Sequence, residues 1–125
     1  MRILFRAAVL LGLAAGLACD EGTPEPGRVE GSLVSPFSSE GAAVLEVLGP
    51  IVDTVSVPGG DIYQHADGDV IRVVIVLRAP GMIRFRMAVH DVNAPPVVRI
   101  VEVADPNNEL RADLDLYSVA YTVVN

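Results

Sequence analysis

The amino-acid sequence predicts an all-β fold: an antiparallel two-sheet sandwich that follows an N-terminal signal peptide. Three observations carry this. Twenty of the 21 valines lie beyond residue 18, against only seven leucines, and stiff β-branched side chains favour the pleated sheet over the helix. Turn-forming clusters recur about every ten residues, the spacing of an all-β domain. Ile83, Phe85, Met87 and Val89 alternate with Arg84, Arg86, Ala88 and His90, giving one apolar and one basic face, as on a half-buried antiparallel strand.

In chain order, the first element is the signal peptide, residues 1–18. Arg2 and Arg6 precede an uncharged stretch, Ala7 to Ala18, and Cys19 follows. A basic start, an apolar run and small residues before a cleavage point define a secretory signal. The stretch has twelve residues, too few for a membrane-spanning helix, which needs about 20. Ala15-Gly16-Leu17-Ala18-Cys19 resembles the lipobox of bacterial lipoproteins, whose signal peptidase cuts before a cysteine carrying a diacylglyceryl group on its thiol. Gly16 departs from the pattern, standing where that family usually has leucine, with Leu17 one step late. The resemblance implies lipidation of Cys19 and a membrane anchor at the bacterial cell envelope, on its periplasmic or surface face. Two or more acyl chains on one residue anchor stably where one is marginal. A thioether-linked lipid also accounts for a cysteine with no partner. Asp20 resembles an inner-membrane retention signal of enteric bacteria; other groups sort differently, so the choice of membrane stays open.

Residues 19–28 read as an acidic Pro/Gly tether. Proline and acids hold such a segment extended, and the nine residues after Cys19 reach about 28 Å at ~3.1 Å each. The domain proper is residues 29–125, long enough for one core and no more. Its strand candidates are 29–34, 42–48, 52–57, 62–65, 70–77, 82–89, 97–103 and 116–124. Asp67-Gly68 between two β-runs is a hairpin signal. One helical turn is expected from Asp105, as a cap, to Arg111. Eight strands in so short a domain point to two packed sheets. Gly41-Ala42-Ala43-Val44-Leu45-Glu46-Val47, Ala79-Pro80-Gly81 before Ile83-Arg84-Phe85, and Val103-Ala104-Asp105-Pro106-Asn107-Asn108 together resemble small uncharacterised bacterial lipoproteins. That resemblance implies a cohesin-like or immunoglobulin-like sandwich and supplies no catalytic residue.

Charge and composition exclude several function classes. All nine basic residues are arginines, and the net charge is −7. Without the signal, seven arginines face sixteen acids, a balance of −9. Nucleic-acid binding needs a basic patch, which nothing here builds. A single cysteine excludes an internal disulfide framework and a Cys-clustered zinc site. His65 and His90 lie beside turns, with no Gly-x-Ser-x-Gly elbow and no free thiol to serve. Asp67/Asp69 and Asp113/Asp115 lack the apolar setting that would hold one acid protonated. Asp105-x-Asn107-x-Glu109 opens like a Ca²⁺ loop, but Leu110 stands where the glycine should be and Leu116 where the bidentate glutamate should be. A sugar surface would need exposed aromatics, and the chain has three tyrosines, three phenylalanines and no tryptophan. Arg72, Arg84 and Arg86 are expected on neighbouring strands, lining one outer face and pairing with acids such as Glu46 and Glu102.

A surplus of valine supplies the one candidate site. With Ile71, Val73, Ile75 and Leu77 inward, Val74 and Val76 face out between Arg72 and Arg78. With Ala43, Leu45 and Val47 inward, Val44 and Leu48 face out beside Glu46. A sandwich needs one apolar face per strand, so Val44, Leu48, Arg72, Val74 and Val76 form a candidate interaction face. The expected function is that of a lipid-anchored cell-envelope protein with a non-enzymatic protein-binding or structural role. Its expected partners are the membrane, through Cys19, and an envelope protein or a second copy, with no nucleic acid. The alternative is a small ligand- or Ca²⁺-binding secreted module. No catalytic residue, metal ligand or cofactor is expected.

Overall fold

A computed structural model of the chain describes residues 22–51 and 55–124. Valine-rich alternation forms seven strands among the described residues: β1 Gly27–Val34, β2 Glu40–Leu48, β3 Gly60–Asp67, β4 Val70–Gly81, β5 Arg84–Val89, β6 Val97–Ala104 and β7 Ser118–Val124. They form two antiparallel sheets, ordered β5-β1-β7 and β3-β4-β2-β6. The two inner faces close on one core, in which Phe85, Val73 and Ile75 are fully buried. The fold is the all-β sandwich that the composition and punctuation predict.

Seven of the eight expected strands have counterparts, with ends that differ by a few residues: β5 begins at Arg84 rather than Met82, and β7 at Ser118, after the turn that holds Leu116. β1 starts at Gly27, inside the expected tether, because Gly27 pairs with Val89 and Arg28 with both Ala88 and Val124. Of the expected strand 52–57, residues 52–54 lie outside the described residues. On either side of them, Ile51 bridges Val89 and Ser56 bridges Arg86, with Ser56 and Arg86 exchanging backbone hydrogen bonds of 2.9 and 2.7 Å. The link from β2 to β3 therefore meets the edge of β5, in the other sheet, at Ile51 and again at Ser56.

The helical turn from Asp105 to Arg111 is not formed. Asp105 instead closes a tight turn: its Oδ1 accepts from the backbone N–H of Asn107 (2.8 Å) and Glu109 (3.0 Å). Asn108 takes a left-handed φ of 63°, a conformation Asn tolerates and a helix does not contain. The chain then turns back so that Leu110 bridges Ala104. Among the described residues the one short helical turn is 3₁₀, at Leu114–Leu116, and Asp113 caps it by accepting from the Asp115 N–H.

Two bulges adjust the inward set. In β6 the register shifts against β2 between Val44 and Leu45, so Ile100 and Val103, an odd number of residues apart, both face inward. In β2 the register against β4 shifts between Glu40 and Ala42. There Gly41 alone lies opposite four β4 residues, 77–80, and beyond this irregularity the acid Glu40 faces the interior, where it is 1 % exposed.

Candidate functional site

Residues directly opposite one another on antiparallel strands share a face. The pairing of β3, β4, β2 and β6 therefore fixes the outer face of the larger sheet row by row. One row is Tyr63, Val74, Val44 and Glu102. The next, away from the β3–β4 hairpin, is Asp61, Val76, Ala42 and Ala104. On the hairpin side lies His65, Arg72, Glu46 and Arg99, and beyond it Asp67, Val70, Leu48 and Val97. All five residues of the candidate face, Val44, Leu48, Arg72, Val74 and Val76, thus lie on one surface.

That surface has a definite pattern. Val44 and Val74 are half-buried by their neighbours, while Val76 is 42 % and Tyr63 64 % exposed. Over Ala42, Val44, Val74 and Val76 lies a shallow hollow of about 250 Å³, walled by Glu102 and Leu110. Beside it runs the charged row, in which the Glu46 carboxylate accepts from Arg99 at 2.8 Å and lies 3.7 Å from Arg72. Arg78 pairs with Asp61 at 3.3 Å at the opposite border. An apolar centre between two charged borders results, on a face the core does not use.

The expected grouping of arginines is corrected. Arg72 belongs to the larger sheet, but Arg84 and Arg86 point outward from β5 in the smaller one, where Arg86 pairs with Glu30 at 2.9 Å. Adjacent β-runs in sequence, β4 and β5, are split between the sheets, so their arginines face opposite sides of the molecule. Glu46 pairs with Arg72 as expected; no ion pair joins Glu102 to Arg84 or Arg86, which lie in the other sheet. His65 and His90 are exposed. Cys19 lies outside the described residues.

One constellation escaped sequence reading. The buried Glu40 carboxylate accepts from the hydroxyls of Ser35 and Tyr117 (both 2.7 Å) and from Arg111 Nε (3.0 Å). The Arg111 guanidinium stacks 3.9 Å from the centroid of the Phe37 ring, and Phe37 lies 6.5 Å from Tyr117. Burial first, then the hydrogen bond to Glu40, raises Tyr117 above the ordinary phenol pKa. Every oxygen of Glu40 is engaged by the protein itself, so the cluster joins parts of the chain and leaves no open acid for chemistry. Its only local sequence signal was Ser35-Pro36, which reads as a turn.

No protein-family model, curated protein or solved structure matches this chain.

Proposed function

We propose that this is a lipid-anchored cell-envelope protein with a non-enzymatic role, holding a protein partner on the outer face of its larger sheet. The observation that supports the reading is the apolar centre of Val44, Val74 and Val76 between charged borders, on a face that the core does not require. Apolar patches rimmed by charge are typical of interaction surfaces. The anchor rests on the resemblance of Ala15–Cys19 to a lipobox, and the acidic tether would hold the domain clear of the membrane. The strongly negative balance keeps such a domain off anionic headgroups.

Two measurements test the reading. Full-length protein made in a bacterium partitions into detergent and gains lipid mass at Cys19, whereas Cys19→Ser does neither; an unmodified soluble protein beginning at Cys19 refutes the anchor. The double substitution Val74→Lys/Val76→Glu preserves the thermal melt and abolishes partner capture. Unchanged capture by a folded variant refutes the face.

A further inference from the structure

We infer that the partner on this face is a second copy of the chain, docked about a two-fold axis that runs parallel to the strands between β2 and β4. The inference rests on the reading of this face as a protein-binding surface and names its occupant.

The argument is one of self-complementarity. A two-fold interface must match a surface to itself, so that residue i meets j and j meets i. In the rows of the larger sheet, an axis between β2 and β4 exchanges the two central columns. Arg72 of one copy then meets Glu46 of the other, twice over. Val74 meets Val44, Val76 meets Ala42, and Val70 meets Leu48. In the flanking columns, Glu102 falls across from Tyr63, whose hydroxyl can donate to a carboxylate, and Arg99 falls across from His65, while Asp61 and Asp67 fall across from Ala104 and Val97 at the rim. A two-fold axis across the strands through the Val74 row instead sets the central Arg72 against Val76 and Glu46 against Ala42. Of these two axes, the lengthwise one pairs both the central charges and the valines.

The face carries both signs of charge needed for reciprocal pairing: Arg72, Arg78 and Arg99 lie among the acids Asp61, Glu46, Asp67 and Glu102. The Arg72 and Arg99 side chains are 57 % and 60 % exposed, while the Glu46 they share is 17 % exposed. A guanidinium has five donors, so each arginine retains N–H groups for a second carboxylate, and Glu46 meets Arg72 of the other copy by giving up part of its own pairing.

Orientation agrees as well. Gly27, where β1 begins, pairs with Val89, which also bridges Ile51, three residues after the end of β2. The N-terminal segment therefore leaves the sandwich at the Leu48 end, where Glu25 accepts from the Val92 N–H at 2.8 Å. An axis parallel to the strands keeps this end on the same side in both copies. Two tethers can then reach one membrane.

The size of the face sets the strength. Four strands at ~4.8 Å and four outward rows at ~6.8 Å cover roughly 500 Å² per copy. A stable interface buries about 800 Å² per partner, so the pair is weak in dilute solution and favoured when both copies are confined to one membrane.

The test is a charge exchange in full-length chains carrying two different tags, co-expressed in a bacterium and cross-linked in the membrane before isolation. Wild-type copies co-isolate. Arg72→Glu paired with itself, and Glu46→Arg paired with itself, lose about tenfold, the effect of setting like charges opposite at both sites. Arg72→Glu co-expressed with Glu46→Arg recovers, because both intermolecular pairs are restored. If a single variant fails to fold, the double variant Arg72→Glu/Glu46→Arg carries the test: it co-isolates with itself and not with wild type. Equal recovery in every pairing, or none among wild-type copies, overturns the inference. If wild-type copies do not co-isolate but Val74→Lys/Val76→Glu abolishes capture of a different envelope protein, self-pairing falls and the protein-binding reading stands. If the valine variant changes neither, both fall.

Discussion

Two tyrosines couple the stability of the sandwich to alkaline pH. The Tyr121 hydroxyl donates to the Pro96 carbonyl at 2.9 Å, and its ring meets Phe85 edge-on at 6.4 Å. Burial pushes its pKa from 10.0 up to about 12, and Tyr117 is raised in the same sense. The folded state thus holds protons that the unfolded chain releases near pH 10. Their contribution to stability is complete below that pH and is lost as pH rises through about 12. Thermal melts are expected to fall across this window, and Tyr121→Phe is expected to flatten the fall; an identical slope in the variant would rule Tyr121 out as a source. The same ring stack explains Gly31, which lies opposite both Phe85 and Tyr121. A Cβ there would overlap the Phe85 ring, so Gly31→Ala is expected to lower stability by about 1–3 kcal/mol, read by chemical denaturation. Phe85 was legible as core from its alternation, and Phe85→Asp is expected to unfold the domain by burying an unpaired charge. Gly31 was silent in the sequence, because the ring it accommodates is on another strand.

Elements were legible where parity was marked by charge. Arg72 and Arg78 fix the outward side of β4, and Glu46 fixes that of β2, so the inward sets Val73/Ile75 and Ala43/Leu45/Val47 follow from local sequence, as their burial confirms. Parity fails at bulges. Counting back from Ala43 by twos reaches Gly41, not Glu40, and nothing local announces the shift, which lies in the pairing with β4. Sheet membership was equally hidden, because the crossover from β4 to β5 depends on what each strand pairs with. The Asp105 turn was misread for a different reason: an aspartate before proline serves a helix cap and a turn alike, and the left-handed Asn108 decides between them. Asp105→Ala removes two hydrogen bonds to backbone N–H groups. It is expected to cost about 1–2 kcal/mol, leave the strand-dominated far-UV spectrum intact, and loosen the turn beside Leu110, seen as faster amide exchange at Asn107 and Glu109.

Across the whole molecule, the Glu40 cluster joins segments far apart in sequence. It brings the start of β2 to Arg111 and Tyr117, 71 and 77 positions further on, so the link from β6 to β7 is held to the loop between β1 and β2 by a buried carboxylate. Among the described residues no buried side-chain nitrogen or oxygen lacks a hydrogen-bond partner, which makes the cluster complete and its parts interdependent. Removing the acid alone strands the Tyr117 hydroxyl and leaves Arg111 over Phe37 without its counter-charge. Arg111 keeps some access to water, so the larger loss is the hydrogen bonding left unmade around the buried position. Glu40→Ala is therefore expected to lower the denaturation midpoint steeply, and Glu40→Gln, which retains hydrogen-bonding atoms, to lower it less. Replacing both partners with apolar residues removes the stranded charge together with the pair. Glu40→Leu/Arg111→Met should then be more stable than Glu40→Leu alone, a non-additivity that a double-mutant cycle measures. Additive losses in that cycle would mean that Glu40 and Arg111 act separately, each held by its own hydroxyl or ring, and that these distant segments join without the ion pair.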